Sequence, residues 1–509
     1  MAADTFLSAA KTIYLKWILA ADKFVLMIKR RKMELLIGRI AEKKILSEAL
    51  ASTSSELLAV FGRRRVGKTF LIRSVFREQL IFELSGVHDG NATEQLLNFS
   101  KAMAEALGSP LTLAAPKNWT EAFWQLREFA TPILKKRKAV IFFDEFPWLS
   151  SHKSGFLSAF EYFWNQWASQ QPNLIVAICG SAATWMIKKV VNSKGGLHNR
   201  LTRKIRLLPF TLHETEQYLK SKNIDIDRYQ ILTIFMAMGG VPHYLKELKK
   251  GESATQAIDR LCFTKDGLLS TEFANLYRSL FENADRHISV VKALADKPSG
   301  LTRNEIITTC NLQSGGTTTL LLEELVESGF ITPQLPFQKN ANQSIYKLSD
   351  QYSLFYLKFI EHSRATGAGT WLKKSSTSSW RSWSGYAFEG ICLKHSDNIK
   401  QALGISGVFT ETSAWRHAPK TGNGAQVDLL LDRQDNVVSI CEIKFSNTEF
   451  VIDKAYAAEL QYKLDIFRQQ SKTRKALFLA MVTTYGVKNN VYSIGLVQNQ
   501  VTMHDLFLP

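Results

Sequence analysis

Four short, mostly apolar runs mark the first 180 residues: Leu57-Leu58-Ala59-Val60-Phe61, Leu80-Ile81-Phe82-Glu83-Leu84, Ala139-Val140-Ile141-Phe142-Phe143 and Leu174-Ile175-Val176-Ala177-Ile178. Runs of this length predict strands buried on both faces. A helical pattern over residues 70–76 separates the first two, and strand, helix, strand in succession predicts a parallel sheet. Further along, residues 288–295, 302–310 and 317–328 read as three short helices, followed by a hairpin at Phe330-Ile331 and Ile345-Tyr346-Lys347-Leu348. Residues 362–384 are rich in Ser, Thr, Gly and Lys and read as a linker or partly packed connector, although Trp371, Trp380 and Trp383 lie in or beside them. Residues 425–431 and 437–444 then form a strand hairpin around Arg433-Gln434-Asp435-Asn436.

The first strand runs into Gly62-Arg63-Arg64-Arg65-Val66-Gly67-Lys68-Thr69, followed by Phe70 at the start of the helix. This fits G-x-x-x-x-G-K-[ST], in which the glycines let backbone N–H groups face phosphate, Lys68 reaches the β/γ oxygens and the Thr69 hydroxyl ligates Mg²⁺. The expected ligands are ATP and Mg²⁺. The third run ends at Asp144-Glu145, where Asp144 would hold the Mg²⁺ shell and Glu145 would orient the attacking water. The fourth ends at Cys179-Gly180-Ser181; Ser181 fits either a sensor of the γ-phosphate or a helix-capping turn serine.

These motifs, with Ile37-Gly38-Arg39, Glu42, Phe146-Pro147, Leu207-Leu208-Pro209-Phe210 and Gly239-Gly240-Val241-Pro242-His243-Tyr244-Leu245, resemble the prokaryotic AAA/STAND-type ATPases of the archaeal-ATPase group. The resemblance runs from Glu34 to the C-terminus. It implies a helical lid over residues 212–282, a place for His243 near the nucleotide, and a role for Arg200 as the arginine that meets charge on the γ-phosphate, in cis or from a neighbouring subunit. Arg200, Arg203, Lys204 and Arg206 read equally as a solvated basic strand face. The three helices and hairpin have the sequence shape of a winged helix. Its third helix carries three Glu and no Lys or Arg, which favours a packing or regulatory role over reading DNA.

In the last third, Asp428 and Glu442-x-Lys444 fall on the hairpin in the D-x(n)-E-x-K layout and resemble the PD-(D/E)XK nucleases. The two-residue period puts Glu442 and Lys444 on one side of a strand, and the paired strand can bring Asp428 beside them. Two carboxylates there would bind Mg²⁺ and the lysine would activate water. Glu389, in the helical Phe388-Glu389-Gly390, matches the extra acid of that superfamily, and Lys454 and Gln461 lie on a helix downstream.

Composition adds compartment and partners. The chain is 45% hydrophobic and 22% charged, as in an ordinary globular protein. Five cysteines without a C-x-x-C pair argue against a disulfide framework or zinc site and point to a reducing cytoplasm. A net charge of +18 is a field for nucleic acid or anionic membrane. Residues 1–32 carry seven Lys/Arg against two Asp in an amphipathic pattern, but Lys16, Asp22 and Lys23 break it too often for a membrane span. Three readings fit this stretch: a membrane-surface or partner helix, a targeting segment, or an over-extended start with the true one at Met27 or Met33, the last being preferred.

The expected organisation is α/β: a basic extension over 1–33, a P-loop NTPase parallel sheet over 34–211, a helical lid over 212–282, a winged-helix module over 283–361, a linker over 362–384 and a C-terminal α/β restriction-endonuclease-like domain over 385–509. The expected function is ATP hydrolysis controlling a metal-dependent nuclease-like domain. The alternative is a regulatory ATPase whose last domain only binds DNA or a partner. A homo-oligomer is left open.

Overall fold

The computed structural model describes residues 35–509 except 112, 192–194, 198, 364–366, 368 and 420–423, and only the backbone at 183, 184 and 341. The basic amphipathic pattern over residues 1–33 lies outside the described residues. Residues Gly38–Pro509 form one compact unit.

Strands β1 (Glu56–Phe61), β2 (Leu80–Ser85), β3 (Ala139–Asp144), β4 (Leu174–Gly180) and β5 (Arg203–Arg206) form one sheet in the order β2-β3-β4-β1-β5. All its pairings are parallel, so every strand's carboxyl end points to one edge. β1, β3 and β4 are buried along their whole length, as their unbroken apolar runs predict. Helices Ala92–Leu107, Trp119–Leu134 and Phe156–Gln166 contribute Phe99, Trp119, Phe123, Phe156, Phe160 and Phe163 to a core built around Phe143 and Phe146. β5 is an edge strand with a basic face: Arg203 pairs with Glu56, and Arg206 donates to the carbonyls of Val326 and Glu327.

Helices Leu212–Ser221, Arg228–Met238, Pro242–Leu245, Ala254–Phe263 and Glu272–Arg278 occupy the predicted lid. Helices Ala284–Ala295, Arg303–Thr309 and Gly316–Glu327 follow, with β6 (Leu301–Thr302), β7 (Ile331–Gln334) and β8 (Ile345–Leu348) paired antiparallel in the order β6-β8-β7.

Of the two readings of residues 362–384, linker or partly packed connector, the described residues fit the connector. Helix Thr370–Ser375 and the first turns of helix Ser378–Lys394 lie here, and Trp371, Trp380 and Trp383 are buried against Phe355 and Phe359. Asp259 of the lid accepts the N–H groups of Gly369 and Trp371, each at 2.7 Å. The Ser/Thr/Lys composition belongs to the outer face, and the tryptophans carry the packing.

The last sheet is mixed: β13-β12-β11-β10-β9, with β9 (Thr410–His417), β10 (Ala425–Arg433) and β11 (Val437–Lys444) antiparallel, and β12 (Ala476–Thr483) and β13 (Asn499–Thr502) parallel to β11. Helix Lys454–Ser471 packs Leu460 and Phe467 on it. Lid and last domain also meet directly. Tyr229 stacks on Phe445 (5.6 Å, 13°) and Tyr485 (5.8 Å, 24°).

His395, at the end of helix Ser378–Lys394, makes a second lid contact. It donates from Nδ1 to Ile391 O (2.8 Å) and accepts the N–H of Leu212 at Nε2 (3.1 Å), capping the first lid helix as a neutral ring. Burial lowers its pKa from 6.5 to about 4. Below pH 6.5 the unfolded chain therefore binds a proton that the folded chain refuses. In urea titrations, this site is expected to lower stability by about 1.4 kcal/mol per pH unit between pH 6.5 and 4. The slope should be absent in His395→Gln; an unchanged slope in that variant would remove the assignment.

Candidate active site at the phosphate loop

β1 delivers the loop at the carboxyl edge of the parallel sheet. Gly62 has φ 144°, and a Cβ there would lie 2.3 Å from Leu207 O, so both backbone shape and a close approach demand glycine. Gly67 has φ 94° and would meet nothing within 4 Å, so only the conformation demands it. Helix Lys68–Val75 starts immediately after, two residues earlier than its apolar pattern suggests. Phe70 on its first turn is partly exposed.

The predicted acids converge on the same edge. Thr69 Oγ1 donates to Asp144 Oδ2 at 2.7 Å, so a hydroxyl and a carboxylate from opposite sides of β4 share one point. This pair of hard oxygen donors fits Mg²⁺. Lys68 Nζ donates to the carbonyls of Gly62 and Arg63, each at 3.0 Å. Burial lowers its pKa, against the opposing pull of Glu145 and Asp144. Glu145 sits in the left-handed region at φ 44°, ψ 47° and aims its carboxylate at Ser181, whose Oγ (2.8 Å) and N–H (3.1 Å) both donate to Oε2. Ser181, whose sequence setting fits either a sensor of the γ-phosphate or a helix-capping turn serine, is bonded to the Glu145 carboxylate. Cys179 Sγ donates to the other Asp144 oxygen at 2.6 Å.

The structure gives each loop arginine a partner that motif spacing could not reveal. Arg63 ion-pairs with Asp350, Arg64 lies 5.3 Å from the Trp148 ring centre, and Arg65 ion-pairs with Glu272, which also accepts Tyr244 Oη at 3.0 Å. Arg39 is buried upstream; it donates to Val66 O at 3.1 Å and lies 4.6 Å from the Phe210 ring centre. His243 is half-buried, and burial together with the charges of Arg65 and Lys246 lowers its pKa. Arg200 is exposed before β5 and, among the described residues, bonds to none of Lys68, Thr69, Asp144 or Glu145.

Residues 36–248 match the model of a family described as an ATPase domain predominantly from Archaea. Over this segment the chain is similar to that family. An uncharacterised protein of Methanocaldococcus jannaschii is 22% identical over 418 residues, covering 81% of this chain and 88% of the relative. Among solved structures, a Walker-type ATPase of Pyrococcus abyssi aligns over 63% of this chain and 96% of its own length, at 19% identity and TM-score 0.47. The ORC2 protein of Aeropyrum pernix aligns over 68% and 98%, at 12% identity and TM-score 0.38.

Outside the ATPase domain, the β10–β11 register pairs Leu429 with Cys441, and Asp428 and Glu442 follow at the next step. Asp428 Oδ2 accepts the N–H of Ile443 at 3.1 Å; burial, Glu442 and Glu389 push its pKa up to about 7. Glu442 is buried, yet Lys444 and Lys463 outweigh that burial and hold its pKa below the ordinary value. Its Oε1 accepts Tyr456 Oη at 2.8 Å and the ammonium groups of Lys444 and Lys463 at 2.9 Å, while Oε2 has no hydrogen-bond partner among the described residues.

The expected three-carboxylate metal set does not assemble. Glu389 pairs with Lys347 of β8 at 2.7 Å, and among the described residues no group of three His, Cys, Asp or Glu is placed to hold a metal. The helix residues that reach the site are Tyr456 and Lys463, whereas Gln461 bonds to Asp465. Tyr456 and Lys463 are seven residues apart, two turns along one helix face, and that spacing could have revealed them.

Gly62→Ala is expected to lower the urea midpoint of unfolding by more than Gly67→Ala. The second variant meets only the backbone cost of a positive φ, about 1–2 kcal/mol, while the first adds the collision with Leu207 O. Equal shifts would mean that the loop relaxes away from Leu207.

Proposed function

We propose that the chain is an ATP-hydrolysing switch whose lid and three-helix module control an acidic site in the last domain that acts on nucleic acid. The reading is carried by the 2.7 Å bond between Thr69 and Asp144, with Lys68 and Glu145 on the same sheet edge. In this reading the loop N–H groups and Lys68 bind the phosphates, Thr69 and Asp144 hold Mg²⁺, and Glu145 takes the proton of the attacking water once it leaves Ser181. Mg²⁺ would neutralise charge on the phosphate oxygens. Arg200, exposed on the surface, suits action on the loop of a second copy better than on its own.

The three-helix module and its three-stranded sheet are proposed as a winged helix serving packing rather than base reading, because Arg206 caps the C-terminus of its acidic third helix and so ties that helix to β5. The net charge of +18 favours nucleic acid as the partner. Among the described residues, no helix is long and apolar enough to cross a membrane. For the last domain, Asp428, Glu442 and Lys444 side by side support the nuclease-like reading, with the orphan Glu442 Oε2 as the oxygen left for a cation. A second reading, binding without cleavage, is favoured by the capture of Glu389 by Lys347 and of Glu442 by Lys463.

Lys68→Ala is expected to abolish ATP binding in calorimetry. Glu145→Gln should keep binding but lose at least ~100-fold in turnover, the usual contribution of general-base catalysis. Turnover unchanged in either variant refutes the ATPase assignment to this loop. With Mg²⁺, wild type but not Glu442→Ala is expected to nick plasmid DNA; no nicking by wild type, or nicking by both, leaves the binding-only reading standing.

A further inference from the structure

Phosphate binding uses the backbone of the loop, Lys68 and Thr69, and gives the Arg63 side chain no task. Yet Arg63 is one of the largest fully enclosed side chains in the protein, at 2% exposure. Its guanidinium lies 5.0 Å from the centre of the Phe330 ring and ion-pairs with Asp350. Neither partner belongs to the ATPase domain: Phe330 precedes β7, and Asp350 follows β8.

Asp350 is held on all sides. The N–H groups of Ser349 and Asp350 both donate to Phe330 O, at 2.8 and 3.0 Å. Its second oxygen accepts the N–H (2.9 Å) and hydroxyl (2.6 Å) of Ser353, capping helix Gln351–Phe355. That helix leads on to helix Ser378–Lys394, where the Gln351 amide donates to Ala387 O at 3.5 Å. At the other end, the Arg63 carbonyl is one of the two acceptors of Lys68 Nζ. A continuous line of bonds therefore joins the phosphate-binding lysine to the segment entering the last domain. As a stabilising device the pair is poor. Among the described residues Arg63 Nε and Nη2 have no acceptor, and desolvation largely offsets the attraction of a buried ion pair.

We propose that Asp350 is a positioning residue for the phosphate loop: by holding Arg63 it fixes the carbonyl against which Lys68 rests, so affinity for a nucleoside triphosphate depends on the docking of residues 349–355. The proposal rests on the loop being a nucleotide site. Pre-set loop geometry reduces the ordering cost of binding, and linkage requires the bound nucleotide to strengthen the docking in return.

The test uses the full chain, with MgATP titrated calorimetrically, steady-state turnover, and amide exchange over residues 349–355. Asp350→Asn is expected to raise Kd and KM for ATP ~10-fold, the equivalent of about 1.4 kcal/mol, with kcat within about twofold. Ser353→Ala should shift both in the same direction by less. In wild type, saturating MgATP should slow exchange over residues 349–355; in Asp350→Asn it should not, even at full occupancy. Should Asp350→Asn fail to fold, the double substitution Arg63→Met, Asp350→Val removes both buried charges at close to the same buried volume and should show the same loss. A folded variant with unchanged or tighter ATP binding and unchanged exchange protection overturns the positioning role alone. No ATP binding by wild type overturns the nucleotide reading and this proposal with it.

Discussion

The parallel pairing of β1, β3 and β4 is the constraint on which the rest of the ATPase domain depends. Strands buried on both faces must be covered by crossover helices, and parallel strands joined that way send all their carboxyl ends to one edge. Gly62, Asp144 and Ser181 leave three different strands and still meet because that edge is shared. The helical layers supply aromatic bulk, with Phe123, Phe143, Phe146 and Phe156 in mutual contact, so the edge is rigid on the scale of a hydrogen bond. Glu145 at φ 44° is a local cost that such a frame can hold in place.

Legibility in the sequence followed the range of the interactions. The strands could be read because double burial forces an unbroken apolar run, and the loop could be read because phosphate chemistry fixes residue types at fixed spacing. Asp350 and Glu272 could not. A partner 287 residues away from Arg63 leaves no spacing signal. The three consecutive arginines were the one available hint, since a loop that works through its backbone needs none of them. Residues 362–384 left two readings open, a linker or a partly packed connector, for a related reason. Their composition is polar on average, but packing is decided by the few side chains that point inward, here Trp371, Trp380 and Trp383.

The last domain shows where a motif and its surroundings part company. The strand period did put Asp428 beside Glu442, as the pattern requires. The electrostatics around them are divided. Asp428 is driven toward its protonated form, while Glu442 is kept ionised by two lysines. A carboxyl that tends to keep its proton, beside one already neutralised by lysines, favours a bound cation less than two free carboxylates would, and Lys347 pairs with the third acid, Glu389. The chemistry of this site is therefore set as much by the β8 strand as by its own sheet.

The stack of Tyr229 between Phe445 and Tyr485 has a mechanical meaning. Stacked, nearly parallel rings resist separation more than they resist sliding over one another, as a lubricated bearing does. Phe445 is the residue after Lys444, so the lid grips the end of the strand that carries the acidic site. Were the helix that carries Tyr229 to tilt, it could shear past this bearing without parting the rings, whereas lifting it would drag Phe445, and the lysine beside it, along with it.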